Sequence, residues 1–464
     1  MRIVHAAAEA APYAKVGGLG DVAGALPRAL AALGNDVRLV VPRSGGVAAP
    51  AGGVAWRAQL PFRDHEVAVA ALVDVLPGSD PAVAVHLIEA RPFASAPVYG
   101  GDDEGERFAL FARAVIHDAL HAGEAPDLIH VHDWHAALVP PLLTVSPQRA
   151  DLRTVLTIHN LAYQGVQAAG FAARHGLPAP PSAGDTRGDA VNPLGRGIAL
   201  ADRVTTVSPT YAREILGPIA GHGLDGLLRE RGVVGIANGI DTTVFDPAHD
   251  PVLAAPFDAA RLGSREACRL ALATELGQPD IGAPLVGVVS RLVEQKGLDV
   301  LLAAAPGLIE RGFRLVVLGS GDARLEDGYR QLAAAHPARV AVVLGYDAAL
   351  AQRIYGGCDL FAMPSRFEPC GLGQLIAMRY GAIPLVRRTG GLADTVEQVA
   401  GRRGTGFLFD DVDPVALLEA ADAAAAVFRA PARWQALQRR ALGVDSSWEA
   451  AARAYDALYR ELAG

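Results

Sequence analysis

Lys15-Val16-Gly17-Gly18-Leu19-Gly20-Asp21 is the stretch on which the reading of the fold turns. It follows a short apolar run, Ile3 to Ala8, and precedes a helix-like segment, Val22 to Leu33, so it reads as the turn between a first strand and a first helix. Glycines let backbone N–H groups approach an anion closely, a helix start adds partial positive charge, and Lys15 adds a full one. The spacing is not the dinucleotide fingerprint G-x-G-x-x-G, and glycine-rich turns after a first strand are common in doubly wound proteins. A plain tight turn therefore stands beside the phosphate-binding reading.

Working outward, Gly34-Asn35 supplies a helix stop and Asp36 to Val41 a second strand. Glu66 to Asp74 and Ala82 to Glu89 read as hairpin strands. Glu104 to Ala122 carries Phe108, Phe111, Val115 and Ala119 at helical period. Strands then recur at Asp127 to His132, Thr154 to His159, Val204 to Val207 and Val233 to Ile236. The stretch from Asn238-Gly239-Ile240-Asp241 to Pro256 reads as a hinge, on which the domains are expected to close over a ligand. A second series follows: Leu285 to Val289, Leu315 to Leu318, Val340 to Leu344, Leu360 to Pro364 and Ile383 to Val386. Pro306 is expected to bend the helix between the first two of these. Strands alternating with helices predict parallel sheets with covered faces and ligands beyond the strands' carboxyl ends. The last helix places Trp448, Ala452, Tyr455, Tyr459 and Leu462 on one face, a stripe expected to pack back across the domains.

Composition agrees with this. A chain of 464 residues exceeds what one hydrophobic core usually fills, and 51% hydrophobic with 20% charged residues gives material for two. The net charge of -8 offers no electrostatic reason to expect nucleic acid or an anionic membrane as partner. Three widely spaced cysteines, Cys268, Cys358 and Cys370, predict reduced thiols in a cytoplasmic protein, and neither a signal segment nor a membrane-spanning run is recognisable.

Chemistry-bearing residues gather at the predicted strand ends. His130-Val131-His132-Asp133-Trp134-His135 and Thr157-Ile158-His159-Asn160 end successive strands and should line one cleft, although each histidine could instead satisfy a buried hydrogen bond. The histidines lack the i, i+4 spacing of a zinc site. Arg291 ends a strand and Lys296 opens the following helix; two such cations can neutralise a diphosphate without a metal. Glu368, in Pro364-Ser365-Arg366-Phe367-Glu368-Pro369-Cys370-Gly371-Leu372, is placed to bind sugar hydroxyls or to stabilise a cationic transition state. Arg387-Arg388-Thr389-Gly390-Gly391 repeats the basic-plus-glycine theme. Asp411-Val412-Asp413 imitates a metal motif, but Asp413-Pro414 reads as a helix cap followed by proline at the first helical position.

Taken in order, KVGGLGDV at 15–22, HDWHA at 132–136, TIHNLAYQG at 157–165, VSPTYAREI at 207–215, NGID at 238–241, SRLVEQKGLD at 290–299, PSRFEPCGL at 364–372 and RRTGGLADTV at 387–396 closely resemble the bacterial glycogen synthases. These are the ADP-glucose-dependent starch and glycogen synthases of glycosyltransferase family 5. The resemblance implies a GT-B architecture: an α/β protein of two Rossmann-like doubly wound domains facing a deep cleft, at 1–241 and 257–445, with a C-terminal helix, 446–464, crossing back to the first. It implies transfer of glucose from ADP-glucose to the non-reducing 4-hydroxyl of an α-1,4-glucan with retention, and no cofactor or metal. On the family's pattern Arg291 and Lys296 hold the diphosphate, Lys15, Gly17 and Gly18 approach its far side, and Tyr346 lies against adenine. The donor glucose meets Asp21, His159, Asn238, Glu368, Cys370 and Gly371, and Asn160 is a further substrate-binding residue. Asp133 and Tyr99 fall on the reacting or acceptor side. Retention is compatible with a covalent intermediate or with same-face attack, which the lack of an obvious base near the attacking hydroxyl favours.

The chain departs from the family's pattern in places. The lysine of its N-F-L-K segment falls at Gly195, beside Arg196, the preceding loop 168–190 is short of aromatic residues, and Gly373 stands for the threonine after EPCGL. Ile376 holds the second position of the E-x7-E of other retaining enzymes, as is usual in this family. Other readings keep the architecture with UDP-glucose or a small acceptor, make the chain a non-catalytic glucan-binding relative, or make it a nicotinamide dehydrogenase. The last lacks the fingerprint spacing, and joint retention of Lys15, His159, Arg291, Lys296 and Glu368 argues against decay of the site.

Overall fold

The alternation of strands and helices settles into two large sheets in the computed structural model, which describes residues 1–94, 96–146, 152–178, 186–187, 190–279 and 282–464. The strands are β1 (Arg2–Ala6), β2 (Asp36–Pro42), β3 (Val54–Phe62), β4 (His65–Val75), β5 (Ala84–Ala90), β6 (Leu128–His132), β7 (Arg153–Ile158), β8 (Thr186–Arg187), β9 (Ala190–Val191), β10 (Arg203–Thr206) and β11 (Val234–Gly235). They continue as β12 (Leu285–Val289), β13 (Arg314–Gly319), β14 (Val340–Leu344), β15 (Leu360–Met363), β16 (Ile383–Arg387) and β17 (Phe407–Phe409).

The first sheet runs β11-β10-β7-β6-β1-β2-β5-β4-β3, parallel except where β4 pairs antiparallel with β5 and with β3. The parallel strands are near-continuous apolar runs because helices cover both faces. The β3–β4 hairpin alternates between buried and exposed residues, as a half-solvated ribbon should. The second sheet, β14-β13-β12-β15-β16-β17, is wholly parallel, and numbered within itself its order is 3-2-1-4-5-6, that of a dinucleotide-binding fold. In each sheet the order reverses beside the first strand, between β1 and β6 and between β12 and β15. Ligands of doubly wound proteins bind beyond the carboxyl ends at such a point.

The chain divides into two compact units, Met1–Gly239 with Trp448–Gly464, and Ile240–Ser447. The helix Trp448–Ala463 thus returns to the first unit, where Trp448, Ala452, Tyr455 and Tyr459 are buried in a core shared with Ile3, Leu26, Leu30 and Val37. Several boundaries differ from expectation. The first helix begins at Gly18, four residues early, because the glycines of the turn themselves take helical conformation. The expected strand 233–236 pairs only at Val234 and Gly235. The helix in which Pro306 was expected to produce a bend spans Leu298–Glu310. β17 and the small β8–β9 pair were not foreseen. Among the described residues no helix is long and apolar enough to cross a membrane.

Candidate active site

In the first unit, β1 delivers the chain to Glu9, a buried carboxylate that accepts N–H bonds from Val16 and Gly17. Gly20 and the Tyr99 hydroxyl bond to it as well, which partly offsets the upward push of burial on its pKa. This modifies the expectation for the glycine turn. Part of its anion-binding capacity is spent on an internal carboxylate, and Gly18 opens the helix beyond it. Lys15 and Asp21, both assigned to the donor by resemblance, form an ion pair of 2.7 Å on the exposed side of the same turn.

Next to β1 in the sheet, β6 ends at His132 and hands over to Asp133, whose backbone adopts φ 56. A non-glycine residue in the left-handed region is costly and is retained where the surroundings enforce it. Here Asp133 Oδ1 accepts the backbone N–H of His159 at 2.7 Å and of Asn160 at 3.4 Å, which ties the end of β6 to the end of β7. Burial raises the Asp133 pKa to about 7, against these two bonds and with help from the charge of Glu9. Burial, with Glu9 second, also pushes the Tyr99 hydroxyl well above its ordinary value. Tyr99 lies against the His135 ring at 4.8 Å between centroids. Tyr99, Asp133 and Glu9 therefore form one poorly solvated acidic group; Glu9 was missed because its only signal was an acid set in an apolar run.

The histidines split between the two readings left open for them. His130 is held at both ring nitrogens, by Tyr459 and by Thr157, each at 2.6 Å, and is a satisfied core residue. His132 pairs with His5 at 3.2 Å and with His159 at 3.0 Å. His159 is half-buried, and burial lowers its pKa to about 3, so the ring is neutral. Asn160 turns its own loop by accepting the Ala162 N–H. Asn238 is buried, and its Oδ1 has no hydrogen-bond partner among the described residues.

In the second unit, Glu368 follows β15 and is 4% exposed. Lys296, from the short helical turn after β12, contacts both of its oxygens at 2.8 and 2.7 Å, and the Ser365 hydroxyl donates at 2.9 Å. The diphosphate cation and the sugar-side carboxylate expected from sequence are thus one hydrogen-bonded unit at the switch point. Arg291 is exposed, with no ion pair among the described residues, and Tyr346 is 82% exposed beyond β14. Glycines bring the backbone together here. A Cβ on Gly297, at φ 63, would stand 1.9 Å from the Pro364 oxygen, and one on Gly391 1.9 Å from the Cys370 oxygen. Gln374, unforeseen, braces the Cys370–Gly371 loop by donating to both carbonyls.

Other motifs resolve as structural. Arg387 donates to the Arg366 and Asp410 carbonyls, and Arg388 pairs with Asp410. Asp413 caps the helix Pro414–Phe428 by accepting from Val415 and Ala416. Gly373 stands where a Cβ would meet the Phe361 ring at 3.0 Å, so a threonine there would need more room. Arg196 is buried and donates to the Pro178 carbonyl at 2.7 Å, while the loop 168–190 lies partly outside the described residues.

Comparison with known proteins matches the starch synthase catalytic domain to residues 2–230 and the glycosyl transferases group 1 to residues 283–426. The glycogen synthase of Anaeromyxobacter dehalogenans (strain 2CP-C) is 46% identical over 100% of both chains. That of Gloeobacter violaceus is 46% identical over 100% of this chain and 99% of its own. The catalytic domain of starch synthase IV from Arabidopsis thaliana, solved bound to ADP and acarbose, superposes with a TM-score of 0.89 at 35% identity, covering 99% of each chain. With two doubly wound units, a polar cluster at each switch point and relatives matched end to end, the chain belongs to the family of glycogen and starch synthases.

Proposed function

We propose that this chain is a retaining glucosyltransferase that moves glucose from ADP-glucose to the non-reducing-end 4-hydroxyl of an α-1,4-glucan. The observation that carries the reading is the Lys296–Glu368–Ser365 unit at the second switch point. Breaking a glycosyl phosphate bond leaves negative charge on the diphosphate and positive charge on the sugar ring, and this unit offers a cation for the first and a carboxylate for the second. Arg291 adds a second cation, Gly18 a backbone amide and Lys15 a further charge for the phosphates. Exposed Tyr346 is a face for adenine. Asp21, His159, Asn160, Asn238, Cys370 and Gly371 take the sugar hydroxyls, and Tyr99 and Asp133 the acceptor side.

Both oxygens of Glu368 are engaged by Lys296, which supports an electrostatic role, and Ile376 supplies no second carboxylate. Same-face attack is the favoured course: the bond from glucose to the diphosphate breaks, the acceptor proton passes to the departing phosphate oxygen, and the new glycosidic bond forms on the same face. The relative solved with ADP and acarbose supports a nucleotide donor and a glucan acceptor. Among the described residues Cys268, Cys358 and Cys370 form no disulfide, which accords with a cytoplasmic location.

The test is transfer from ADP-glucose and UDP-glucose to glycogen, maltooligosaccharides and glucose, reading nucleotide release and the anomeric configuration of the product. Elongation of glucan from ADP-glucose with an α-linkage is expected. Release from UDP-glucose alone, or to a small acceptor alone, moves the reading to another retaining transferase.

A further inference from the structure

His159 is one end of a row of three imidazoles. Its Nε2 pairs with His132 Nδ1 at 3.0 Å, and His132 Nε2 pairs with His5 Nδ1 at 3.2 Å. At the far end His5 Nε2 is buried and has no partner among the described residues. At the near end His159 Nδ1 is held by no protein group among them, on a half-buried residue. The ring nitrogens of His5, His130 and His132 lie within 4.8 Å of one another, as metal ligands would. Yet His130 and His132 have both nitrogens taken, and one open nitrogen on His5 is not a metal site.

A neutral imidazole has one donor and one acceptor nitrogen, so a row linked end to end has only two consistent settings. Burial keeps the row neutral: it holds His5 and His159 down at about 3 and His132 well below its ordinary value, with the neighbouring histidines adding to the effect at His132. In one setting every proton sits on Nε2, and His5 buries an N–H with no acceptor. In the other every proton sits on Nδ1, and His5 buries only a lone pair. An orphaned buried N–H is the rarer and costlier of the two.

We propose that His5 and His132 are positioning residues that fix His159 as its Nδ1–H tautomer, so that the face it presents to substrate is a hydrogen-bond donor to a sugar hydroxyl oxygen. The role of His159 toward the transferred glucose rests on the function proposed above; the tautomer does not.

The experiment is a long-range proton–nitrogen correlation spectrum of the ring-15N-histidine-labelled full chain without ligand, with His159 assigned from the His159→Gln spectrum. Proton on Nδ1 is expected; proton on Nε2, or an even mixture, overturns the proposal. Two variants extend the test. His5→Phe removes the anchor, and should release the His159 tautomer and lower kcat/KM for ADP-glucose by roughly five- to tenfold, the worth of one oriented neutral hydrogen bond. His5→Asn, whose amide nitrogen falls near Nδ1, should restore the tautomer and bring kcat/KM to within about twofold of the parent. Equal losses in the two variants, or an unmoved tautomer in His5→Phe, refute the relay. If either variant fails to fold, the parent spectrum alone decides. An Nδ1–H tautomer in a chain that transfers nothing from ADP-glucose leaves the relay standing and removes the donor assignment.

Discussion

Glu368 and Lys296 each hold the other's charge, so removing one changes what the other can do. Lys296→Ala deletes a charge-assisted phosphate contact and strips Glu368 of its counter-charge, leaving Ser365 as a neutral donor. The expected loss is about 1.5 to 3 kcal/mol in kcat/KM for ADP-glucose, or in ADP binding by calorimetry; unaltered kinetics contradict the diphosphate role. Glu368→Ala is different. It should lower kcat by several powers of ten while ADP binds as well as before or better, because Lys296 is freed for phosphate. Asp133 makes the residue-scale case for pH. Its pKa rises from 3.8 to about 7 on folding, so the folded chain binds the extra proton. Its contribution to stability is therefore unopposed below about pH 4, declines as pH rises through the window up to 7, and is constant above it, at about 1.4 kcal/mol per pH unit as an upper slope. Asp133→Asn keeps the oxygen that accepts from His159 and Asn160 and lacks the titration. In thermal unfolding its advantage over the parent should be small at pH 4.5 and larger at pH 8; a pH-independent difference rules out the buried ionisation.

Elements place these residues, and here reading from sequence reached strands better than turns. Val288, Leu315 and Leu360 lie in short apolar runs bounded by glycine and charge, and their shortness and flanking residues mark them as buried parallel strands where period alone does not. The glycine turn was harder, since whether Val16 and Gly17 meet a phosphate or a protein carboxylate depends on Glu9, seven and eight residues back. No periodicity reports such a contact. β17 escaped because three residues are too few for a pattern and its position is set by pairing with β16. Gly297 and Gly391 were visible as letters, but the carbonyls they admit come from 364 and 370, on other strand ends. Gly297→Ala tests this level. The residue sits at φ 63 with the Pro364 oxygen 1.9 Å from the place of the added carbon, so the turn carrying Lys296 has to move. Destabilisation well beyond about 1 kcal/mol in urea unfolding is expected, since even an unobstructed alanine is strained at positive φ. The variant should also lose affinity for ADP; a stable variant with parental affinity means that the turn tolerates the displacement.

At the scale of the whole molecule, the two sheets follow from short apolar runs alternating with helical segments, the pattern that parallel pairing with covered faces requires. Connectivity is less local. The chain leaves the first unit after Gly239, completes the second, and returns at Trp448, so the first unit is finished only by the last helix. The amphipathic stripe was readable from its period, while its destination came only with the family resemblance, because Asn35, His130 and Thr157 carry no sign of the Asp456, Tyr459 and Tyr455 that meet them. Trp448, Tyr455 and Tyr459 are at most 6% exposed, and each large side chain so buried contributes about 1.5 to 3 kcal/mol. Their sum is comparable with the roughly 5 to 15 kcal/mol that hold a domain together. A chain ending at Ser447 should accordingly lose the cooperative fold of residues 1–239 while residues 240–447 remain resistant to limited proteolysis. Tyr459→Phe should cost about 1 to 3 kcal/mol, because the His130 Nδ1 that met the hydroxyl at 2.6 Å is left buried without a partner. If the truncated chain keeps a protease-resistant first unit, the helix is an attachment to a core already complete; digestion confined to residues 1–239 makes Trp448–Gly464 part of the domain that begins the chain.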